Sequence, residues 1–227
     1  DQLGNFENRK MKKYKSDIII VGAGIAGLVA AYELLEAGKK ILIIDRDKAA
    51  NIGGLAKWAF GGMFFVNTKL QRKRGIKDSI DLAMRDWFSY AKFDDDEVWG
   101  KKWAEQYVHL CTPYGYDWMK KLGFSFFPVV NWVERGLEKD GNSVPRFHMV
   151  WGTGWELANR MATLVKNHPK ASTNLSFAFE HRVQELIVEN KVIKAVQGFT
   201  ENESMPFEAT GEIVIIATGG INGSIEK

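Results

Sequence analysis

The stretch DIIIVGAGIAGLVAAYELLEAGKKILIID, Asp17–Asp45, decides how the rest of the chain is read. Ile18–Val21 is a β-branched run of the kind buried in a parallel sheet. Leu28, Ala31, Leu34 and Leu35 then recur at helical spacing, and Gly38 stands where a C-terminal cap belongs. Ile41–Ile44 is a second buried strand, closed by Asp45. The pattern predicts a β-α-β unit with Gly22, Gly24 and Gly27 at its first strand–helix junction. Gly22 permits the tight turn, Gly24 lets backbone approach a pyrophosphate without a Cβ in the way, and Gly27 lets helix and strand pack closely. With the backbone of Ala23 and Ala26, the helix N-terminus offers N–H groups lacking intrahelical acceptors and about half a positive charge. Asp45 is placed to accept hydrogen bonds from ribose hydroxyls, with Arg46 beside it. Dinucleotide binding is the expectation, and a tight turn without a ligand is the alternative.

The 227-residue chain carries a net charge of +3, too small and too scattered to indicate a nucleic-acid partner. Cys111 is the single cysteine, which fits a reducing, cytoplasmic setting and reads as a buried small apolar residue rather than a nucleophile. The basic run Lys10–Lys15 before an uncharged stretch superficially resembles a secretion signal. That stretch, Ile18–Tyr32, is shorter than the roughly 18–20 residues of a membrane span, and AYELLEAG continues it with helical periodicity. Residues 1–16 are expected to be a tail, with Met11 a candidate native start.

Beyond NIGGLAKWAFGG, residues 51–62, the composition changes: all eight tryptophans lie between Trp58 and Trp155. Ile76, Ile80, Met84, Trp87 and Ala91 share one helical face, and Trp99, Trp103, Tyr107 and Leu110 share another. A short helix is expected over Tyr114–Leu122 and a longer one over Trp155–Asn167, with Leu157, Met161 and Leu164 inward. The chain then reads as strands: LSFAFEHRV alternates, a hairpin turns near Glu189-Asn190-Lys191, MPFEA is short, and EIVIIATGG ends in a buried run.

The fold expected is α/β and Rossmann-like over 17–227, with an aromatic-rich helical insertion (62–155) and strands with a β-meander (171–210); that it is an FAD-binding domain of the glutathione-reductase type is what the following resemblance implies. The choice of FAD over NAD rests on a resemblance. Gly22-x-Gly24-x-x-Gly27-x-x-x-Ala31, then Gly38, then the acid, resembles the extended motif of glutathione-reductase-like flavoproteins, although those commonly carry Glu where Asp45 stands. Asn51-Ile52-Gly53-Gly54 (with Ala56 following), Gly61-Gly62 and Ala217-Thr218-Gly219-Gly220 resemble glycine segments of the fumarate reductase/succinate dehydrogenase flavoprotein superfamily. The resemblance implies that these segments meet the flavin and that Val183 lies beside the adenine. GGLAKWAFGGMFFV and SVPRFHMVWGTG most resemble FAD-binding dehydrogenases akin to 3-ketosteroid dehydrogenases. Some superfamily members bind flavin covalently through a histidine after the first glycine pair; residues 55–60 hold none, so non-covalent FAD is expected.

The resemblance implies a hydride transfer between flavin N5 and a carbon next to a carbonyl or carboxyl group of a small-molecule substrate. A ketosteroid-like substrate is the first expectation and a fumarate-like acid the second. In the superfamily a cap and a last FAD segment follow the ATGG strand; neither stands before Lys227, so a piece of a longer enzyme, or a non-catalytic FAD-binding module, is the further alternative. Arg146 and His148 are the candidate catalytic residues, since arginine can clamp a carboxylate or polarise a carbonyl and histidine can move a proton. The competing reading is that both order their loop. His109 reads as structural, His168 as part of an exposed turn, His181 as a strand residue, and no metal-ligand spacing is present. The aromatic residues between 58 and 155 read either as core or as walls of a pocket for a flat apolar substrate. Oligomeric state has no sequence signal.

Overall fold

A computed structural model describes residues 11–127, 133–136 and 140–220; the first ten residues of the expected tail, including Lys10, lie outside these. In chain order the elements are β1 (Lys12–Lys15), β2 (Ile18–Val21), α1 (Ile25–Glu36), β3 (Ile41–Ile44), β4 (Gly62–Phe64), α2 (Lys69–Lys73), α3 (Ile80–Ala91), α4 (Val98–Leu110), α5 (Asp117–Lys121), β5 (Phe147–Met149), α6 (Thr153–Lys166), α7 (Ala171–Asn174), β6 (Leu175–Ala178), β7 (His181–Glu189), β8 (Val192–Thr200), β9 (Pro206–Thr210) and β10 (Ile213–Ile216). They form two units, Asp1–Lys57 with Ala158–Lys227, and Trp58–Leu157.

In the first unit the apolar runs of β2 and β3 are buried at every position and form the centre of a parallel sheet ordered β10-β2-β3-β6. A second sheet, β1-β9-β8-β7, carries the meander. Ile19, Val21, Leu42 and Ile44 from the first sheet cluster with Val196, Phe207 and Ala209 from the second. Each Val, Leu, Ile or Phe side chain among these contributes roughly 1.5–3 kcal/mol on burial. α1 packs on β2 and β3 with Leu28, Ala31 and Leu35 fully buried. The hairpin turns at Asn190 and Lys191, whose φ values of 49° and 64° give the doubly left-handed corner that matches strand twist.

Several expectations change. Lys12–Lys15 is not tail: it pairs in parallel with β9, and its lysines suit an exposed sheet edge, where charge discourages further pairing. LSFAFEHRV is two strands in two sheets, because the chain breaks at Glu180 (φ 58°) between β6 and β7. The last run is not buried: Ile213 and Ile216 are 53% and 52% exposed, since among the described residues β10 is an edge strand paired with β2. On α6 the inward residues are Ala158, Met161, Ala162 and Val165 rather than Leu157 and Leu164. His168 is buried, because the turn folds back onto the end of α1 and its Nε2 donates to Glu36 Oε1 at 2.7 Å.

The second unit holds the β4–β5 ribbon and helices α2 to α5. On α3 Ala83 and Asp86 turn inward, while Ile80 is 38% exposed and Ile76 precedes the helix. α4 does gather its aromatics on one face, but that face is open: Trp99 and Trp103 are 71% and 72% exposed. The expected third helix is one turn of π-helix, Cys111–Tyr116, followed by α5 and stopped at Gly123 with φ 82°. Cys111 is buried, and burial pushes its thiol pKa up, so it is a packing residue with little thiolate character.

Candidate functional site

The glycines of the β2–α1 junction do different work, as a hypothetical Cβ at each one shows. At Gly22 (φ 109°) it would collide with Ala217 O and stand 2.7 Å from Ala217 C. The ATGG segment therefore runs against the turn, held there by the Ala217 N–H bonded to Val21 O at 2.8 Å. At Gly27 it would collide with Gly22 O, so the first turn of α1 lies on the end of β2. At Gly24 it would meet nothing within 4 Å. Gly24 caps α1 without a side-chain hydrogen bond, and the first helical turn has no acidic residue, so no side chain of the described residues caps its N–H groups.

Asn51-Ile52-Gly53-Gly54 lies beside that opening. Gly53 N–H donates to Ala23 O at 2.9 Å, Gly24 and Gly53 form a parallel bridge, and a Cβ on Gly54 (φ 58°) would stand 3.3 Å from Gly24 Cα. A Cβ on Gly53 (φ 105°) would also stand 2.7 Å from Ala158 Cβ, so Gly53 is sterically required, while Gly54 is a tight fit. Asp45 closes the far side: its Oδ2 accepts from Ala23 N at 2.6 Å and its Oδ1 from Asp47 N at 2.8 Å. These bonds orient the carboxylate and leave each oxygen a lone pair for a ribose hydroxyl. His181 N–H donates to Asp45 O at 2.9 Å, which starts β7 beside the acid and sets Val183 two residues on.

The first unit thus brings together Gly22, Ala23, Gly24, Ala26, Gly27, Asp45, Gly53, Gly54 and Ala217 around one helix end. Thr218 is exposed, and the Cβ position of Gly219 (φ 86°) is open. Ala56 sits in a short 3-10 turn, Gly54–Trp58. Asn51 spends its side-chain N–H on Asp47 Oδ1 at 2.8 Å. Arg46 lies 3.4 Å from Glu201, a carboxylate it shares with Arg182 and a partner the sequence did not reveal. A cradle whose glycines are either packed against backbone or open to solvent, with an uncapped helix end and an oriented carboxylate, fits the pyrophosphate and ribose of FAD.

Gly61, Gly62, Arg146 and His148 belong to the second unit. Gly61 (φ 76°) packs on the Thr153–Gly154 backbone, and Gly62 under the Phe147 ring. Arg146 is fully buried and heavily bonded. Nε and Nη2 donate to Asp78, and Nη1 donates to Asp86 Oδ2 at 2.6 Å and Asn142 Oδ1 at 2.8 Å. Burial opposes ionisation of Asp86, but Ser143 and the Arg146 guanidinium outweigh it and hold its pKa below the usual carboxylate range. Both ring nitrogens of His148 are occupied: Nδ1 donates to Arg146 O at 2.7 Å and Nε2 accepts from the Thr68 hydroxyl at 2.8 Å. This bonding matches the loop-ordering reading of both residues. Asp78 and Asp86 were missed; the hint was an acid, Asp86, among apolar positions of a helix.

Burial lowers the His148 pKa, outweighing its bond to Arg146 O and the nearby Asp78, so the fold holds the imidazole neutral. A folded pKa below the unfolded value near 6.5 means that acid protonates the unfolded chain first. Stability from this residue is complete above about pH 6.5 and declines below it, by at most about 1.4 kcal/mol per pH unit. Urea denaturation at stepped pH is expected to show this slope in the native protein and to lose it in His148→Gln; identical slopes would remove His148 as its source.

A family model described as FAD binding domain matches residues 17–227. A KsdD-like steroid dehydrogenase of Mycolicibacterium smegmatis is 43% identical over 228 residues, covering 93% of this chain and 41% of that protein. Among solved structures, the 3-ketosteroid-Δ4-(5α)-dehydrogenase of Rhodococcus jostii, in complex with 4-androstene-3,17-dione, superposes with a TM-score of 0.74 at 18% identity, covering 94% of this chain and 47% of that one. The open conformation of a flavocytochrome c3 fumarate reductase gives 0.73 at 21% identity, covering 91% and 34%. These two likenesses speak for the fold, and the chain spans less than half the length of each of the three proteins.

Proposed function

The chain belongs to the FAD binding domain family, and from that premise we propose that it is the flavin-binding portion of a dehydrogenase acting on ketosteroid-like substrates. The cradle at Gly22, Gly24, Gly53 and Ala217 carries the cofactor half of this reading. The likeness at 43% identity to a steroid dehydrogenase supports the substrate half. Bound there, FAD supplies reversible hydride transfer at N5 to or from a carbon next to a carbonyl.

The chain's own residues bind and orient. N–H groups at the start of α1, from Ala26 and its neighbours, meet the pyrophosphate at the open face of Gly24. Asp45, oriented by the Ala23 N–H, would accept from the ribose, and the backbone at Val183 in β7 would border the adenine. Within the first unit, Gly54, Thr218 and Gly219 would approach the flavin half. Attachment is non-covalent, in keeping with the absence of histidine from residues 55–60. Reduction of a fumarate-like acid has less support, because Arg146, the arginine best placed in sequence to clamp a carboxylate, is bonded to Asp78 and Asp86. The lone, buried Cys111 supports a reducing, cytoplasmic setting.

The test uses the full-length holoprotein. It is expected to be yellow, to release all its flavin on denaturation, and to bleach anaerobically with a saturated 3-ketosteroid. Flavin that stays with the denatured chain would refute non-covalent binding. Bleaching by no ketosteroid, with reduced flavin reoxidised by fumarate, would transfer the assignment to the acid reductase.

A further inference from the structure

The second unit has an open cleft of about 380 Å³ between the rings of Phe64, Trp87 and Tyr90 and Glu134, Arg135, Gly141 and Asn142 of the short segments 133–136 and 140–142. Those segments pair with each other, Gly136 N–H to Asp140 O at 2.8 Å and Asn142 N–H to Glu134 O at 3.0 Å. They press flat on Tyr90: a Cβ on Gly136 would stand 2.6 Å from its ring. One edge of the Tyr90 ring thus lies against backbone.

Asp86 also lines the cavity. Its Oδ2 accepts from Arg146, from Ser143 N–H and from the Ser143 hydroxyl at 2.6, 2.7 and 2.8 Å. Its Oδ1 has no partner among the described residues, yet no fully enclosed side-chain oxygen there lacks one, so Oδ1 must reach open space. The side chain is only 11% exposed, which confines that opening. Among the described residues, the charged groups lining the cavity are Asp86 and Glu134 against Arg135, with the Asp78–Arg146 pair behind Asp86, leaving one negative charge in excess, while Lys92 and Asp140 pair at 3.3 Å. An unengaged carboxylate oxygen, an excess negative charge and the faces of Trp87 and Tyr90 all favour a cation.

We propose that this cavity is a binding site for a flat aromatic ammonium, its ring against Trp87 and Tyr90 and its N–H⁺ on Asp86 Oδ1. A neutral polycycle of the same shape would leave that oxygen unpaired. The site lies wholly within the second unit and is independent of the flavin reading.

Calorimetry on FAD-saturated, full-length protein tests it with tryptamine and its neutral counterpart tryptophol. Tryptamine is expected to bind at one site per chain, at least about tenfold more tightly than tryptophol. Tyr90→Ala removes a half-exposed ring with no hydrogen bond of its own among the described residues, and is expected to weaken tryptamine about tenfold while leaving melting temperature and flavin spectrum unchanged. Equal affinities for the two probes, no saturable tryptamine binding, or tryptamine binding untouched by Tyr90→Ala would each overturn the proposal.

Discussion

Arg146→Met is expected to destabilise the protein by at least about 3–5 kcal/mol, a large share of the ~5–15 kcal/mol that holds a typical domain. The guanidinium and the Asp78 side chain it bonds are both 0% exposed, and Asp86 is nearly so. Methionine would fill much of the volume and leave two buried carboxylates facing each other with no counter-charge. The loss should exceed that of a single broken pair, because Asp78 also receives Gln71, which links the cluster to the Thr68 cap of α2. Adding Asp78→Asn to Arg146→Met is expected to recover part of the loss, since an amide tolerates burial better than an unpaired charge. Urea titration of the single and double variants measures both quantities. A catalytic arginine would behave otherwise: its loss would abolish turnover and leave the midpoint where it was. A shift below about 1 kcal/mol would refute the structural assignment.

The same cluster shows where sequence reading stops. The β-α-β unit was legible because its determinants are local: β-branched strands, helical spacing, and glycines whose steric need can be argued residue by residue. Arg146 was visible as a candidate, but its meaning depends on Asp78 and Asp86, sixty and more residues earlier. No local pattern pairs them. The aromatic stripe of α4 is a second case. Periodicity places Trp99, Trp103 and Tyr107 on one face, whereas exposure depends on what else packs there, which periodicity does not contain. LSFAFEHRV is a third: alternation reads through the break at Glu180, while the sheet assignment on either side is fixed by long-range bonds from Glu180 N–H to Asp47 O and His181 N–H to Asp45 O. At the cofactor site the order reverses. Gly22, Gly24 and Gly53 were named from sequence, and the structure adds the steric reason that tells them apart: a Cβ would meet Ala217 O at Gly22 and Ala158 Cβ at Gly53, and nothing within 4 Å at Gly24.

That reason separates two glycine substitutions that sequence alone would treat as equals. Gly27→Ala sets a methyl against Gly22 O, a backbone atom that cannot swing away, with Ile20 Cγ2 only 3.3 Å off. Helix α1 would have to lift from β2, opening the layer in which Leu28, Ala31 and Leu35 are fully buried. A loss of about 3 kcal/mol or more is expected even without FAD, in the range of overpacked cores. Gly24→Ala meets no atom within 4 Å. Without flavin it should cost no more than the modest preference of glycine over alanine at a helix N-cap, about 1 kcal/mol at most. Its methyl would instead stand where the pyrophosphate approaches the helix end. Displacing the phosphate from two charge-assisted hydrogen bonds would raise the FAD dissociation constant by about a hundredfold or more. Thermal melting of the flavin-free protein and FAD titration by fluorescence quenching separate the two effects. A Gly24→Ala variant that binds FAD like the native protein would show that the phosphate does not sit at the start of α1, whatever its stability.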